Sequence, residues 1–314
     1  LKKYAFGVDI GGTTVKIGLF ETNGQLVEKW EIPTRKEDNG SQILPDIAAS
    51  LAGKLSGRGI SKDEVEGIGI DVPGPILQDE IVNKCVNLGW GVLNVAAEVK
   101  KLTGIDEVKV ANDANAAALG EMWKGGGESH KNVVMVTLGT GVGGGIILNG
   151  KILPGNFGAA GEIGHMTMNL DEDQACGCGK KGHLEQYASA TGIARRAKEV
   201  LAASDKPSKL REIENPDAKA VFDAAKEGDE LALEIVDFVG RTLGLALATI
   251  SCVVDPEVYV IGGGVSKAGE ILTDAVKKYF VKYAFHASEG TEFALAELGN
   301  DAGMYGAVKM VIKD

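Results

Sequence analysis

Short apolar runs closed by glycine alternate along the chain with segments whose apolar residues recur at helical spacing. Tyr4 to Asp9 reads as a buried strand, Gly11-Gly12 as a tight turn, Val15 to Phe20 as a second strand and Asn23-Gly24 as a hairpin turn into a third. Ile43, Ile47, Leu51 and Leu55 predict an amphipathic helix. Ser61 to Glu64 has capping-box form, and strands at Gly67 to Val72 and Val108 to Ala111 flank a helix over Val95 to Leu102. An alanine-rich helix opens after Asn112. The opening pattern then returns as a strand at Val133 to Leu138, a glycine turn from Gly139 to Gly145, a strand at Ile146 to Leu148 and a hairpin at Asn149-Gly150. Helices follow at Ala188 to Leu201 and Ala218 to Lys226, around a polar loop containing proline. The helix over Asp229 to Cys252 has small residues on one face, suited to packing under a sheet. A strand at Val258 to Ile261 runs into three glycines before a helix, and a strand at Glu292 to Leu298 precedes a last helix over Asp301 to Ile312. The alternation of strands and helices predicts an α/β protein.

The glycine turns carry candidate chemistry. In Asp9-Ile-Gly11-Gly12-Thr13-Thr14 the glycines let backbone N–H groups approach a phosphate, the threonine hydroxyls add donors, and Asp9 at the strand end can hold magnesium directly or through water. Gly139-Thr140-Gly141 repeats this arrangement. Gly262-Gly263-Gly264 either admits the adenosine end of a nucleotide or makes a sharp turn. Two copies of one strand-turn-strand unit, each offering a phosphate turn to a shared cleft, resemble the architecture of actin, hexokinase and the heat-shock chaperone ATPases. Asp113 stands at the carboxyl end of a strand as a helix opens, where a carboxylate is a natural N-cap and where α/β enzymes also place reactive groups. Pro73-Gly74-Pro75 is a stiff loop where a ligand can touch backbone. Asn87 beside Trp90 suits a sugar rim, or else the tryptophan is packed.

The stretch Gly161 to Glu185 is the densest in chemistry. Glu162 and His165 lie three apart, so one helical turn puts carboxylate and imidazole on one side. Cys176, Cys178 and His183 follow among glycines, and two thiols with two imidazoles are the ligand types of a closed tetrahedral zinc site. Glu185 adds a second carboxylate. G-E-x-G-H followed by C-x-C-G-x-x-G-[ligand]-x-E resembles the signature of the ROK family of bacterial sugar kinases, chiefly glucokinases, and sugar-responsive repressors. The family normally has a third cysteine where this chain has His183, which changes the ligand set from Cys3His to Cys2His2.

The resemblance spans roughly Phe6 to Val308 and implies a two-domain actin/hexokinase-like fold with duplicated ribonuclease-H-like halves and a cleft between them. It places a smaller domain at 1–117 plus 301–314 and a larger one at 118–300. It also implies an ATP-dependent hexose kinase, most closely a glucokinase, working as a homodimer or dimer of dimers. N-D-x-N-A in that family carries the base, here Asp113. Gly74, Asn87, Asn112, Asp113, Glu162, His165 and Glu185 then bind the sugar. Asp9, Gly11, Gly12, Thr13, Thr14, Lys16, Gly139, Thr140, Gly141 and Gly262 to Gly264 serve ATP and magnesium, and His165, Cys176, Cys178 and His183 hold zinc. A kinase for another hexose shares every motif. A repressor of the family has a DNA-binding helix-turn-helix ahead of a first strand that here begins by residue 4.

Composition narrows the classes. The 314 residues suffice for two domains, and 44% apolar with 25% charged residues describes a soluble globular protein. A net charge of −11 with no long basic run argues against a nucleic-acid partner. No apolar run reaches membrane-spanning length, and the lysines of the first residues are followed at once by a strand rather than by a signal peptide. Cys85 and Cys252 stand alone, as buried small residues of a reducing cytoplasm.

Overall fold

The computed structural model, which describes residues 2–313, realises the repeated strand pattern as two sheets of one topology. In the first, β1 (Tyr4–Ile10), β2 (Thr14–Glu21) and β3 (Leu26–Pro33) form an antiparallel meander. After the single turn α1 (Glu37–Gly40) and the helix α2 (Ile43–Arg58), β4 (Val65–Val72) joins β1 in parallel. A small ribbon of β5 (Ile76–Leu77), β6 (Ile81–Val82) and β7 (Leu93–Asn94) leads to α3 (Val95–Thr103), and β8 (Val108–Asn112) then joins β4 in parallel. The order is β3-β2-β1-β4-β8. After α4 (Asp113–Lys124), the second sheet is built from β9 (Val133–Leu138), β10 (Val142–Leu148), β11 (Lys151–Ile152), β12 (Val258–Gly262) and β13 (Glu292–Leu295), in the order β11-β10-β9-β12-β13. In each sheet the first strand is central, its own hairpin lies to one side and two parallel strands lie to the other. The duplication read from the glycine turns is therefore a duplication of fold. The remaining helices are α5 (Glu185–Ala188), α6 (Ala190–Ala203), α7 (Ala218–Lys226), α8 (Glu230–Val254), α9 (Glu270–Tyr283) and α10 (Ala302–Lys309).

Side chains fix the helix ends as the sequence signals require. Asn94, Ser189, Asp217 and Asp229 accept from the first-turn amides of α3, α6, α7 and α8, and Ser61 and Glu64 form the reciprocal box ahead of β4. Gly59 and Gly104 end α2 and α3 in the left-handed conformation. One face of the first sheet buries Phe6, Val8, Ile17, Ile68 and Ile70 against α2 and α3. On the other face α10 approaches without side chains in the way. A Cβ at Gly69 would overlap the Ala307 carbonyl, and one at Gly306 would overlap the Ala116 carbonyl of α4. In the second sheet, Tyr259 of β12 packs between Phe280 and Phe293 and donates to the Leu247 carbonyl of α8 at 2.7 Å. Gly240 and Gly244 of α8 lie against α9, so the small-residue face meets a helix as well as the sheet.

The chain divides into two compact units, Leu1–Ser129 with Gly145–Gly161 and Asn300–Asp314, and His130–Gly144 with Glu162–Gly299. They do not follow the expected limit at 117/118, because α4 packs along α10 and the end of β10 crosses α4, where a Cβ at Gly145 would crowd Ala118. Other limits shift as well. β10 begins at Val142, so Gly143, Gly144 and Gly145 belong to a strand rather than to the turn. The last strand ends at Leu295 and the last helix at Lys309. Three-ten turns at Val265–Ala268 separate the three glycines from α9. Cys85 is buried as expected, whereas Cys252 is exposed on α8. Among the described residues no helix is long and apolar enough to cross a membrane.

The contact of α4 with α10 gives a test of sign. An exposed helical Gly→Ala change stabilises by about 1 kcal/mol. Gly306→Ala places a methyl group on the Ala116 carbonyl and is expected to destabilise by about 2 kcal/mol, in the range of overpacking changes. Thermal unfolding reads it as a lower Tm; a Tm equal to or above that of the wild type contradicts the packing.

Candidate active site

In the first unit, parallel register brings the carboxyl ends of three strands to one line. Asp9 pairs with Asp71 and Val72 with Asn112. Lys16, opposite Asp9 in the hairpin, donates to Asp9 Oδ2 at 3.1 Å and to the Asn300 carbonyl at 2.9 Å. The first glycine turn is closed by the Gly11 N–H to the Thr14 carbonyl at 3.0 Å. It is held from outside by Thr34, whose hydroxyl donates to the Gly11 carbonyl at 2.8 Å and whose N–H donates to the Thr13 carbonyl at 2.9 Å. A Cβ at Gly12 would meet nothing within 4 Å, so its backbone faces open space.

The opening of α4 separates two roles. Asn112, not Asp113, is the cap: its Oδ1 accepts from the N–H groups of Ala114 at 3.0 Å and Asn115 at 3.3 Å, and its Nδ2 donates to the Gly74 carbonyl at 3.2 Å. Asp113 follows as the first helical residue and is exposed, its Oδ1 also accepting from the Ala114 N–H at 2.9 Å. Asn112 thus ties the Pro-Gly-Pro loop to α4, with Gly74 at a φ of 127° that favours glycine. Of the expected sugar rim, Asn87 is exposed on the turn Val86–Leu88. Trp90 is the packed alternative, 6% exposed and donating to the Gly40 carbonyl.

Asp71 is the residue that sequence reasoning missed. It is fully buried, and neither oxygen has a hydrogen-bond partner among the described residues. Burial, with the like charges of Asp9 and Asp113 added, pushes its carboxyl well above the usual aspartate range, and Lys16 only partly offsets this. Burial and the facing carboxylates thus favour the protonated form of Asp71. Only an acid inside the apolar run of Gly67 to Val72 signals it.

In the second unit, four groups converge. His165 Nδ1 lies 3.3 Å from His183 Nδ1, Cys176 Sγ lies 2.9 Å from Cys178 Sγ, and His183 Nδ1 lies 3.1 and 3.5 Å from the two sulfurs. All four donor atoms fall within 4.8 Å of one another. A zinc tetrahedron with Zn–S and Zn–N bonds of ordinary length has edges of roughly 3.3 to 3.8 Å, so the group fits a metal of that kind with little movement. Hydrogen bonding between the thiols raises Cys176 and lowers Cys178, as for two sulfurs sharing a proton that a cation would displace. With Nδ1 of His165 turned inward, its Nε2 points to Glu162 Oε2 at 3.8 Å, across the turn Ile163–His165.

The same segment reaches the second glycine turn. A Cβ at Gly141 would come 2.8 Å from Glu185 Oε2, and α6 pins the turn through Ala190 N–H to the Gly139 carbonyl at 2.8 Å and the Thr191 hydroxyl to the Thr140 carbonyl at 2.9 Å. A cavity of about 400 Å³ opens beside Gly141, Glu185 and Cys176. A second, of about 290 Å³, is lined by Gly264, Val265, Ala190, Ala218 and Phe222, so α7, expected only as a helix, walls the third glycine turn. The loop that carries the cysteines is braced by Glu172. Burial would raise this carboxyl, but hydrogen bonds from Arg195, the Gln174 N–H and Tyr187 outweigh it and hold it at about 2.

The model of the ROK family matches residues 5–314. The chain is 46% identical, over 97% of its length and 93% of the relative's, to a glucokinase of Halalkalibacterium halodurans. It is 37% identical, over 97% of its length and 96% of the relative's, to a glucokinase of Thermotoga maritima. It also superposes on a ROK family glucokinase from Streptomyces griseus, solved in complex with glucose and AMPPNP, with a TM-score of 0.72, 33% identity and 98% of each chain covered.

Asp71 predicts a pH dependence. A carboxyl whose folded pKa is raised costs stability progressively as pH rises above its unfolded value of 3.8. Asp71→Asn is therefore expected to stabilise the chain more at pH 7.5 than near pH 4. Denaturant unfolding at the two pH values checks this; a gain independent of pH contradicts the upward shift of the Asp71 carboxyl.

Proposed function

We propose that this chain, which belongs to the ROK family, is a glucokinase that transfers the γ-phosphoryl group of ATP to the 6-hydroxyl of glucose. The observation that carries the reading is the full-length likeness to glucokinases, and the geometry of each unit supports it. Asp113 is the base. Asn112 takes over the capping of α4, so the neighbouring carboxylate is exposed at the strand end, where it can accept the hydroxyl proton as the oxygen attacks phosphorus. Because phosphoryl transfer is loose, positioning and charge neutralisation outweigh the base. The N–H groups of the Gly11-Gly12-Thr13 and Gly139-Thr140-Gly141 turns serve the phosphates, Lys16 places an ammonium beside them, and the cavity walled by Gly264 and α7 receives the adenosine end. Magnesium, held near Asp9, would neutralise phosphate charge.

Glu162, His165, Glu185 and Asn112 bind the sugar hydroxyls. Carboxylates suit this because each accepts two or more hydrogen bonds and so fixes the orientation of the ring. His165, Cys176, Cys178 and His183 hold a structural zinc ion. Ligation through Nδ1 leaves the proton of His165 on Nε2, directed toward Glu162, so the metal sets the tautomer that a sugar hydroxyl meets. The protein works as a homodimer or dimer of dimers in the cytoplasm.

A coupled ATP assay over a panel of hexoses tests the substrate: glucose is expected to have the highest kcat/KM, and a marked preference for another hexose contradicts the assignment. Asp113→Asn is expected to lower kcat at least about a hundredfold with sugar binding kept; near-normal turnover contradicts the base. His183→Ala should lose zinc to a chelator and raise KM for the sugar about tenfold or more, with KM for ATP little changed, whereas His183→Cys should keep the metal. Equal rises in both KM values would mean that the loop only supports the fold.

A further inference from the structure

The first two glycine turns are held from behind in the same way, by elements that share no sequence pattern. Pro33, the last residue of β3, pairs with Thr14, and this register sets Thr34 beside the first turn. Thr34 is 8% exposed and directs both of its donors there, its hydroxyl to the Gly11 carbonyl at 2.8 Å and its N–H to the Thr13 carbonyl at 2.9 Å. The next residue, Arg35, forks onto Asp46 of α2, with its Nε 2.6 Å from Oδ2, so the strand end that carries Thr34 is itself anchored. At the second turn the holder is the start of α6. Ser189 caps that helix through the Gly192 N–H, Ala190 turns its amide to the Gly139 carbonyl at 2.8 Å, and the Thr191 hydroxyl donates to the Thr140 carbonyl at 2.9 Å.

In a trans peptide the C=O and the N–H point in opposite directions. A donor on the Gly11 carbonyl therefore turns the Gly12 N–H away from Thr34, on a residue where an added Cβ would meet nothing within 4 Å. A donor on the Thr140 carbonyl does the same for the Gly141 N–H, and the Ala190 amide does it for the Thr140 N–H. Glycine makes this control necessary. The freedom of φ that lets a glycine turn wrap a phosphate also lets its peptide planes rotate, and a rotated plane presents a carbonyl oxygen to the anion in place of an N–H. With a donor on each carbonyl, that rotation costs a hydrogen bond.

We propose that Thr34 and Thr191 are positioning residues for the phosphoryl donor, each hydroxyl locking one peptide plane of its turn so that the N–H, and not the C=O, faces the phosphates. Both hydroxyl protons are committed to carbonyls, so the two side chains act through the backbone. The inference rests on the reading of the glycine turns as phosphate sites and adds to it the side chains that keep those turns in the binding form. Loss of one neutral hydrogen bond of this kind corresponds to a loss of affinity of about two- to tenfold.

Thr34→Val and Thr191→Val remove the hydroxyls with little change of shape, and Thr34→Val leaves the N–H bond to the Thr13 carbonyl in place. Equilibrium dialysis of the magnesium complex of a labelled non-hydrolysable ATP analogue against the full-length protein is expected to show binding about fivefold weaker in each variant. Binding of the hexose preferred in the panel should stay within about twofold of the wild type. Thr34→Ser and Thr191→Ser, which restore the hydroxyl alone, should return the nucleotide affinity to within about twofold. Gly12→Val and Gly139→Val put side chains into open space at the turns and report on the underlying reading; they should weaken the nucleotide at least about tenfold. If they do and the threonine variants do not, the positioning role is overturned while the phosphate turns stand. If the glycine variants bind as the wild type does, the phosphate reading falls and the positioning role with it. Equal weakening of nucleotide and hexose, or no recovery with serine, also overturns the proposal, because a role in the fold alone moves both ligands together.

Discussion

Four donor atoms within 4.8 Å of one another organise a segment that has almost no regular structure of its own. Between the turn at Ile163–His165 and α5, the chain is held by a few cross-links: the bridge from Thr167 to His183, the bridge from Ala175 to Lys181, and the bracing of Glu172 by Arg195 and Tyr187. In the proposed reading, a metal closing the ring of His165, Cys176, Cys178 and His183 would add the strongest constraint on this loop. What hangs on it is the proposed sugar site. Glu162 and His165 lie at one end and Glu185 at the other, with Glu185 against the Gly141 turn. A shift of this ring would move the proposed sugar ligands and the proposed phosphate turn together.

In the first unit, β-sheet register does the work proposed for the metal in the second. Asp9, Asp71 and Asn112 lie at the aligned ends of β1, β4 and β8, so their relative positions are set by backbone hydrogen bonds rather than by loop packing. The strands stay this close to α10 only because Gly7 and Gly69 carry no side chain. Asp71 is the exception to an otherwise apolar interior. A buried acid beside Asp9 and Asp113 costs stability, which fits the observation that functional centres are where folds tolerate such costs.

Much of this was legible in the sequence because the signals were local. Asn23-Gly24, the capping box at Ser61 to Glu64 and the four-residue spacing from Ile43 to Leu55 each specify their own element, and each appears where expected. The clustering of Glu162, His165, Cys176, Cys178 and His183 was likewise a matter of short spacing. What escaped the reading was long-range. Gly143 to Gly145 resemble a turn until Thr137 and Ala114 are seen to fill the space where side chains would stand. Asp113 resembles a cap until Asn112 is seen to be one. Asp71 and the role of α7 depend on neighbours more than thirty residues away, and no local pattern encodes them.

The central claim is that a tetrahedral metal binds both imidazoles through Nδ1 and so leaves the Nε2 proton of His165 directed at Glu162. Replacing zinc with ¹¹³Cd in protein labelled with ¹⁵N at histidine tests it most directly by NMR. The account predicts one bound cadmium with scalar coupling to Nδ1 of both His165 and His183, and both rings as the Nε2–H tautomer. Coupling through Nε2 of His165, or a bound metal coupled to neither ring, would contradict it.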